Sequence, residues 1–222
     1  GAAETRLVDY RKNRFCPFTS KLPQSYERTI QDVPGVKSAV PVKIVVNNCR
    51  ASLDVVTFRG VPDEGFMEDH LRGATLRSGS LADWKLRSDA VIVGSALADR
   101  RRLRAGDRFD AAGVRTLVAG VFESDDAQDQ NVAYAHLGFL QETAQRGGTG
   151  GIVTQFNVEV TDPARLEEVA AAIDERLAHD QFPTTTRPES AFVARAARAV
   201  IALVGFAGAR VIKETTNQDL PD

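Results

Sequence analysis

The stretch Val91-Ile92-Val93-Gly94-Ser95-Ala96-Leu97-Ala98 decides how the rest of the chain is read. Ala90 to Gly94 is a short, wholly apolar run ending in a glycine turn, the pattern of a buried strand. Ser95 to Leu103 then follows as a helix, with Ser95 as its N-cap. Leu103-Arg104-Ala105-Gly106-Asp107 is a tight turn, in which Gly106 supplies a permissive backbone and Asp107 can hydrogen-bond the turn. Arg108–Ala111, the Ala112-Gly113 turn and Val114–Phe122 make a hairpin, with Leu117, Ala119 and Val121 on one face. Strands joined this tightly predict antiparallel or mixed sheet, hence an α+β fold rather than a doubly wound one.

Working toward the N-terminus, Val40, Val42, Ile44 and Val46 alternate through Val36–Asn47, and Leu53–Val61 is a second β-branched run, so the two read as a hairpin. Leu22-Pro23 is expected to open a helix capped by Ser20, with Tyr26, Ile30 and Val33 on its apolar face and Pro34-Gly35 as its stop. Residues 1–21 are polar and basic and read as an extended lead-in. Residues 72–88 read as turn-rich, anchored by Trp84. Toward the C-terminus, Asn131–Tyr134 is a short strand and His136 to about Gln145 a helix. Gly147–Gly151 is a linker and Ile152–Val160 a strand. Asp162-Pro163 caps a helix striped by Leu166, Val169, Ile173 and Leu177. Thr184–Thr186 is an edge strand. The organisation expected is a lead-in (1–21), an α+β domain (22–187) with a β-rich lobe over about 72–134, a last helix (188–209) and a polar tail (210–222).

The whole chain has 222 residues, 43% hydrophobic and 26% charged, with a net charge of −2. This is a composition that buries a core rather than one that stays disordered. A broadly basic nucleic-acid binder is disfavoured by that charge. No stretch reaches the ~18–20 apolar residues of a membrane span, although the eleven uncharged residues between Arg198 and Arg210 suit the outer end of one. The start Gly1-Ala2-Ala3 suggests a trimmed piece of something longer. Cys16 and Cys49 can form one bridge in an oxidising compartment or remain two thiols.

Sites of chemistry are sparse. There is no G-x-x-x-x-G-K-[ST] and no G-x-G-x-x-G, so nucleotide binding has no cradle. Ser95 sits where an elbow nucleophile would, but in V-G-S-A-L rather than G-x-S-x-G. His136 and His179 are the conceivable partners, and nothing in the spacing places them. The carboxylates of Glu123–Asp129 suit a hard cation but lack the order of a calcium loop, which leaves a solvated loop as the simpler reading. Arg100–Arg104 wraps a helix end instead of forming one flat patch. No cofactor and no metal ligand set is read.

In order, Val33-Pro34-Gly35-Val36, Phe58-Arg59-Gly60-Val61-Pro62, Val91–Ala98, Leu103–Phe109 and Val118-Ala119-Gly120-Val121-Phe122 resemble the extracytoplasmic domain of MacB/FtsX-type ABC transporter permeases. Asp129–Leu137 is similar to the stretch that follows there. The likeness covers about residues 22–207. It implies a mixed α+β fold in two lobes, with Gly94, Gly106, Asp107 and Gly120 as fold residues. It also implies a domain without catalysis on the periplasmic or extracytoplasmic side of the inner (cytoplasmic) membrane, between two membrane helices. A separate cytosolic ABC ATPase would drive it, and it would contact exported substrate or a periplasmic partner. A homodimer or paired permease is expected, and nucleic acid is not. In that compartment a Cys16–Cys49 bridge would pin the lead-in to the first hairpin. The readings that compete are a soluble sensor or adaptor domain, and a hydrolase using Ser95 or the 123–129 carboxylates.

Overall fold

The computed structural model describes residues 3–14, 17–47, 55–143 and 150–198. In chain order it contains β1 (Arg6–Arg11), β2 (Leu22–Pro23), α1 (Tyr26–Gln31), β3 (Val36–Val46), β4 (Thr57–Val61) and α2 (Phe66–Asp69). Then come β5 (Thr75–Gly79), α3 (Leu81–Leu86), β6 (Ala90–Gly94), α4 (Ser95–Arg101), β7 (Arg108–Ala111) and β8 (Val114–Glu123). The remainder is β9 (Val132–His136), α5 (Leu137–Thr143), β10 (Ile152–Val153), β11 (Gln155–Val160), α6 (Leu166–Leu177) and β12 (Thr184–Pro188), followed by a helix over 189–198.

Ten strands form one mixed sheet in the order β12-β1-β11-β3-β4-β9-β6-β8-β5, with β7 hydrogen-bonded to β8. β3 is the long member that joins the two halves. Its first part pairs β11 from Val36 to Val42, and its last part pairs β4 from Lys43 to Val46. The strands of the 72–134 block and those from the chain's ends therefore lie in one continuous ladder. The class is mixed α+β. β2 and β10 make a separate two-stranded ribbon.

Apolar side chains fill both faces. On one face of the β1–β11–β3 half, α1 and α6 bury Ile30, Ile173 and Leu177 against Leu7, Phe156 and Val158. Each such side chain contributes roughly 1.5–3 kcal/mol on leaving water. In the other half, Phe58, Val91, Val93, Leu97 and Phe109 form one core. Phe66, Trp84, Ile92, Phe122 and Tyr134 form another. Trp84 is fully buried and donates Nε1–H to the Tyr134 carbonyl at 3.1 Å.

Several expectations are corrected. Residues 6–11 are not a lead-in outside the domain but an interior strand between β11 and β12. β1 is covered on both faces, so Asp9 and Tyr10 are buried with Leu7 and Val8 and no apolar alternation shows. Leu22-Pro23 is a strand, not a helix start, and α1 begins at Tyr26. The Ser20 hydroxyl instead accepts from the Arg11 N–H at 2.9 Å. The 72–88 segment contains β5 and α3; β5 is exposed throughout and so carries no periodic signal. Ser80, not a turn alone, starts α3 by accepting from Asp83 N–H at 3.0 Å. Ser95 is the first residue of α4 rather than its cap, which is Gly94. The strand expected over Ile152–Val160 is broken at Thr154, whose hydroxyl accepts from Ile44 N–H at 2.9 Å.

Among the described residues, no helix is long and apolar enough to cross a membrane. Cys16, Cys49, the tail 210–222 and residues 199–209 of the expected last helix lie outside the described residues.

Candidate functional site

The residues singled out in the sequence are placed first. A Cβ on Gly94 would lie 2.4 Å from the carbonyl oxygens of Asp129 and Gln130, so only glycine lets that backbone pass. Gly79 and Gly120 do the same where β5 crosses β8, with Gly79 at φ +75 and a Cβ on Gly120 only 2.8 Å from Ser78 O. Gly106 takes φ +96 in open space. Asp107 closes that turn by accepting from Arg104 N–H at 2.8 Å, while Gly106 N–H donates to Val118 O at 2.7 Å. These four motif residues hold backbone geometry, Gly106 and Asp107 in one turn and Gly94 and Gly120 on the paired strands β6 and β8.

The hydrolase constellation is not assembled. His136 stacks on Trp84 with ring centres 3.9 Å apart. Its Nε2 meets the Trp84 carbonyl and its Nδ1 meets Asp63, rather than Ser95. His179 lies in an exposed turn after α6. In the acidic loop, Asp126 accepts from Gln128 N–H and Asp129 is engaged by Arg59, so these carboxylates are occupied within the fold. Arg100 reaches Asn131 Oδ1 and Val55 O, tying α4 to the start of β4 and β9.

What the fold does assemble is a cleft of about 140 Å³ over the middle of the sheet. Its floor is built by register. Val8, Asn157 and Val40 stand side by side across β1, β11 and β3. Ile44, Arg59 and Tyr134 do so across β3, β4 and β9. One wall is helix 189–198, which lays Phe192 on Tyr10 with centroids 5.2 Å apart and brings Val193 and Ala196 to the cleft. The opposite wall is His70, at the end of α2, and the turn at Asp129.

Two arginines of the cleft are paired with carboxylates of its lining, which holds five: Asp69, Asp126, Asp129, Glu159 and Glu189. Arg59 Nη1 donates to Asp129 Oδ1 at 3.2 Å and to the Tyr134 hydroxyl at 3.1 Å, and that hydroxyl donates to Asp129 at 3.1 Å. Burial opposes the Arg59 charge, but Tyr134, Asp129 and Glu189 together hold its pKa above the ordinary value. Burial raises Asp129 and pushes Tyr134 up to about 12. Arg6 approaches Glu189 at 3.9 Å, and burial lifts the Glu189 pKa although Arg6 and Arg59 oppose that. His70 is driven down to about 3 by burial and then by Arg59 and Arg6, so its ring is neutral.

The sequence marks none of Arg6, Arg59, His70, Tyr134, Gln155 or Glu189 as a site residue, although Arg59 and Tyr134 lie in the stretches that carry the family resemblance. The one available signal is Arg59, a charge inside the apolar strand Phe58-Arg59-Gly60-Val61.

Among the described residues, no cluster of His, Cys, Asp and Glu could hold a metal ion. A comparison with curated proteins found no match. Among solved structures, the extracellular domain of the noncanonic ABC-type transporter YknZ from Gram-positive bacteria superposes with a TM-score of 0.58 at 13% identity, covering 82% of this chain and 99% of that one. The periplasmic region of MacB from Actinobacillus actinomycetemcomitans gives 0.56 at 12% identity, covering 98% and 94%. These likenesses speak to the fold. The family model described as MacB-like periplasmic core domain matches residues 5–176, and the chain belongs to that family.

Proposed function

We propose that this chain is the extracytoplasmic coupling domain of an ABC-type permease, performing no catalysis itself. It engages an exported substrate or a periplasmic partner, and it is moved through membrane helices by a cytosolic ATPase. A homodimer or paired permease is the assembly this reading expects.

The observation that carries the reading is where the chain enters and leaves the sheet. β1 and β12 are neighbours, with Leu7 opposite Pro188. Glu4, just before β1, accepts from both the N–H and the hydroxyl of Ser190, at 2.8 and 2.9 Å. Helix 189–198 then docks Phe192 on Val8 and Tyr10 of the same β1 strand. Entry and exit thus leave from one point, as a domain inserted between two consecutive membrane helices requires. A pull on the exit helix is delivered directly to β1, the strand next to the sheet edge, by packed side chains.

The test uses the full permease with its ATPase and a fluorophore on Glu167→Cys, an exposed position of α6. Phe192→Ala is expected to leave ATP hydrolysis intact while reducing the nucleotide-dependent fluorescence change. An unchanged signal would contradict coupling through this helix. Ester or peptide hydrolysis by the purified chain that disappears in Ser95→Ala would replace the reading with a hydrolase.

A further inference from the structure

We propose that β5, with Arg102 and Arg104 beside it, accepts an extended segment of a partner protein as an added strand, one in which acidic and apolar side chains alternate. This names the chemistry of the partner that the coupling reading requires, and to that extent it rests on that reading.

The first observation is an open edge. β5 ends the strand order and is hydrogen-bonded to β8 alone, so the main-chain N–H and C=O groups on its outer side have no strand partner. All five of its residues, Thr75–Gly79, are exposed. At the other end of the order, β12 has Thr184 and Thr186 buried and no exposed residue. An open edge is a template for pairing with an extended segment. The strand is short and bulged between Leu76 and Ser78, which holds off indiscriminate pairing. Side chains therefore select the occupant.

The second observation is charge beside that edge. Arg77, Arg102 and Arg104 line one open groove of about 700 Å³ together with Asp99 and Asp107. The arginine run wraps the end of α4, but the left-handed backbone at Arg102 and the turn at Gly106 bring two of its members round to the groove. Both carboxylates of the groove are in use. Asp99 accepts from Arg77 Nη1 at 2.9 and 3.2 Å, and Asp107 accepts from Arg104 N–H at 2.8 Å. Glu123, opposite Thr75, also faces Arg77, at 4.0 Å. Among the described residues, the guanidinium groups of Arg102 and Arg104 have no carboxylate partner. From residue 99 to 115 the chain carries six arginines against three carboxylates, and the third, Asp110, stands opposite Arg115. A guanidinium fork receives a carboxylate through two parallel hydrogen bonds, so acidic side chains fit this groove.

Register supplies the alternation. Ser78 stands opposite Val121, which packs in the core with Leu97 and Ala98 of α4. Leu76 stands opposite Phe122, which packs in the core with Trp84, and Leu76 is 37% exposed on that face. Successive side chains of an added strand point to opposite faces. Those on the α4 face meet Arg102 and Arg104, and those on the other face meet Leu76.

The probe is a short synthetic peptide alternating glutamate and valine, titrated into the 222-residue chain and followed by fluorescence anisotropy and by hydrogen exchange at residues 75–79. Saturable binding with slowed exchange in β5 is expected. The double variant Arg102→Gln/Arg104→Gln, both at exposed positions, is expected to weaken binding by about tenfold or more, the scale of hydrogen bonds to charged groups. The same peptide with N-methylated amides is expected not to bind. Absence of saturable binding would overturn the proposal, as would equal binding of a lysine–valine peptide. Undiminished binding of the N-methylated peptide would also overturn it, because no strand would then be added. So would a preference for phosphatidylglycerol vesicles over the peptide, which would make the arginines a lipid-facing patch. The titration uses neither nucleotide nor membrane helices, so a negative result here leaves the coupling reading standing, and a failed Phe192→Ala test leaves this surface standing.

Discussion

The Glu4 carboxylate holds Ser190 by two hydrogen bonds, one to its backbone N–H and one to its hydroxyl, across 186 residues of sequence. Glu4 thereby does for helix 189–198 what an N-cap side chain does from within a helix: it satisfies an orphan donor of the first turn, and its negative charge faces the positive end of the dipole. Because Glu4 leads straight into β1, the start of the exit helix is fixed to the strand on which Phe192 packs.

Glu4→Ala is therefore expected to loosen the helix without disturbing the sheet. The loss should be about 1 kcal/mol, the usual worth of a cap. Hydrogen exchange should speed up at amides of residues 190–194 and stay unchanged in β11 and β3. Equal protection in the variant would show that the contact carries no stability.

Two buried groups should contribute to the pH dependence of stability with opposite signs. Burial raises Asp9 from 3.8 to about 7, with the Asp174 charge adding to the shift and Thr184 and Thr186 opposing it. Folded Asp9 thus keeps a proton that the unfolded chain loses, and stability falls as pH rises from about 4 to 7. His70 runs the other way, from 6.5 down to about 3, so the unfolded chain holds the extra proton and stability rises with pH in that range. Asp9→Asn should remove the Asp9 contribution, so that the stability of the variant minus that of wild type rises by about 1.4 kcal/mol per pH unit between pH 4 and 6.5. His70→Gln should show the opposite sign. Urea unfolding at several pH values reads both, and parallel curves for the three proteins would refute the assignment.

The glycines of the recurring motifs should fall into two classes. Gly94→Ala places a Cβ 2.4 Å from two backbone carbonyl oxygens that cannot retreat, and the variant should lose more than ~3 kcal/mol or fail to fold. Gly106→Ala meets nothing within 4 Å and bears only its positive φ, for about 1–2 kcal/mol. Thermal melts of the two should differ accordingly. Similar losses would mean that backbone conformation, not close approach, governs both positions.

Arg59→Ala removes one partner of a pair whose side chains are 27% and 19% exposed. Such a pair lies between the surface and fully buried limits, so a loss of about 2 kcal/mol is expected. Adding Asp129→Ala should recover part of it, because the unpaired carboxylate is then gone. A double-mutant cycle showing no coupling would mean that Tyr134 alone supports Asp129.

The legible parts of this fold were those whose signal is local. β6, α4 and the β7–β8 hairpin announce themselves through an apolar run and through Gly106-Asp107 and Ala112-Gly113, where turn chemistry sits in the sequence itself. β1 escaped because both its faces are covered, and β5 because neither is. The cleft was illegible for a different reason. Its members come one at a time from β1, β4, β9, β11, α2 and the exit helix, and only the strand order brings Arg59 beside Tyr134, 75 residues away. A single Arg or Gln in a strand, or a His at a helix end, looks like an exposed side chain until its neighbours are known.

The central claim is that the exit helix and the sheet move together. Pulsed electron–electron resonance between spin labels at Glu167→Cys on α6 and Arg195→Cys on the exit helix tests it most directly, in the full permease with and without trapped nucleotide. The account predicts one narrow distance distribution, the same in both states. A distribution that shifts or splits on nucleotide trapping would contradict it, because the helix would then be swinging away from β1 rather than carrying the domain with it.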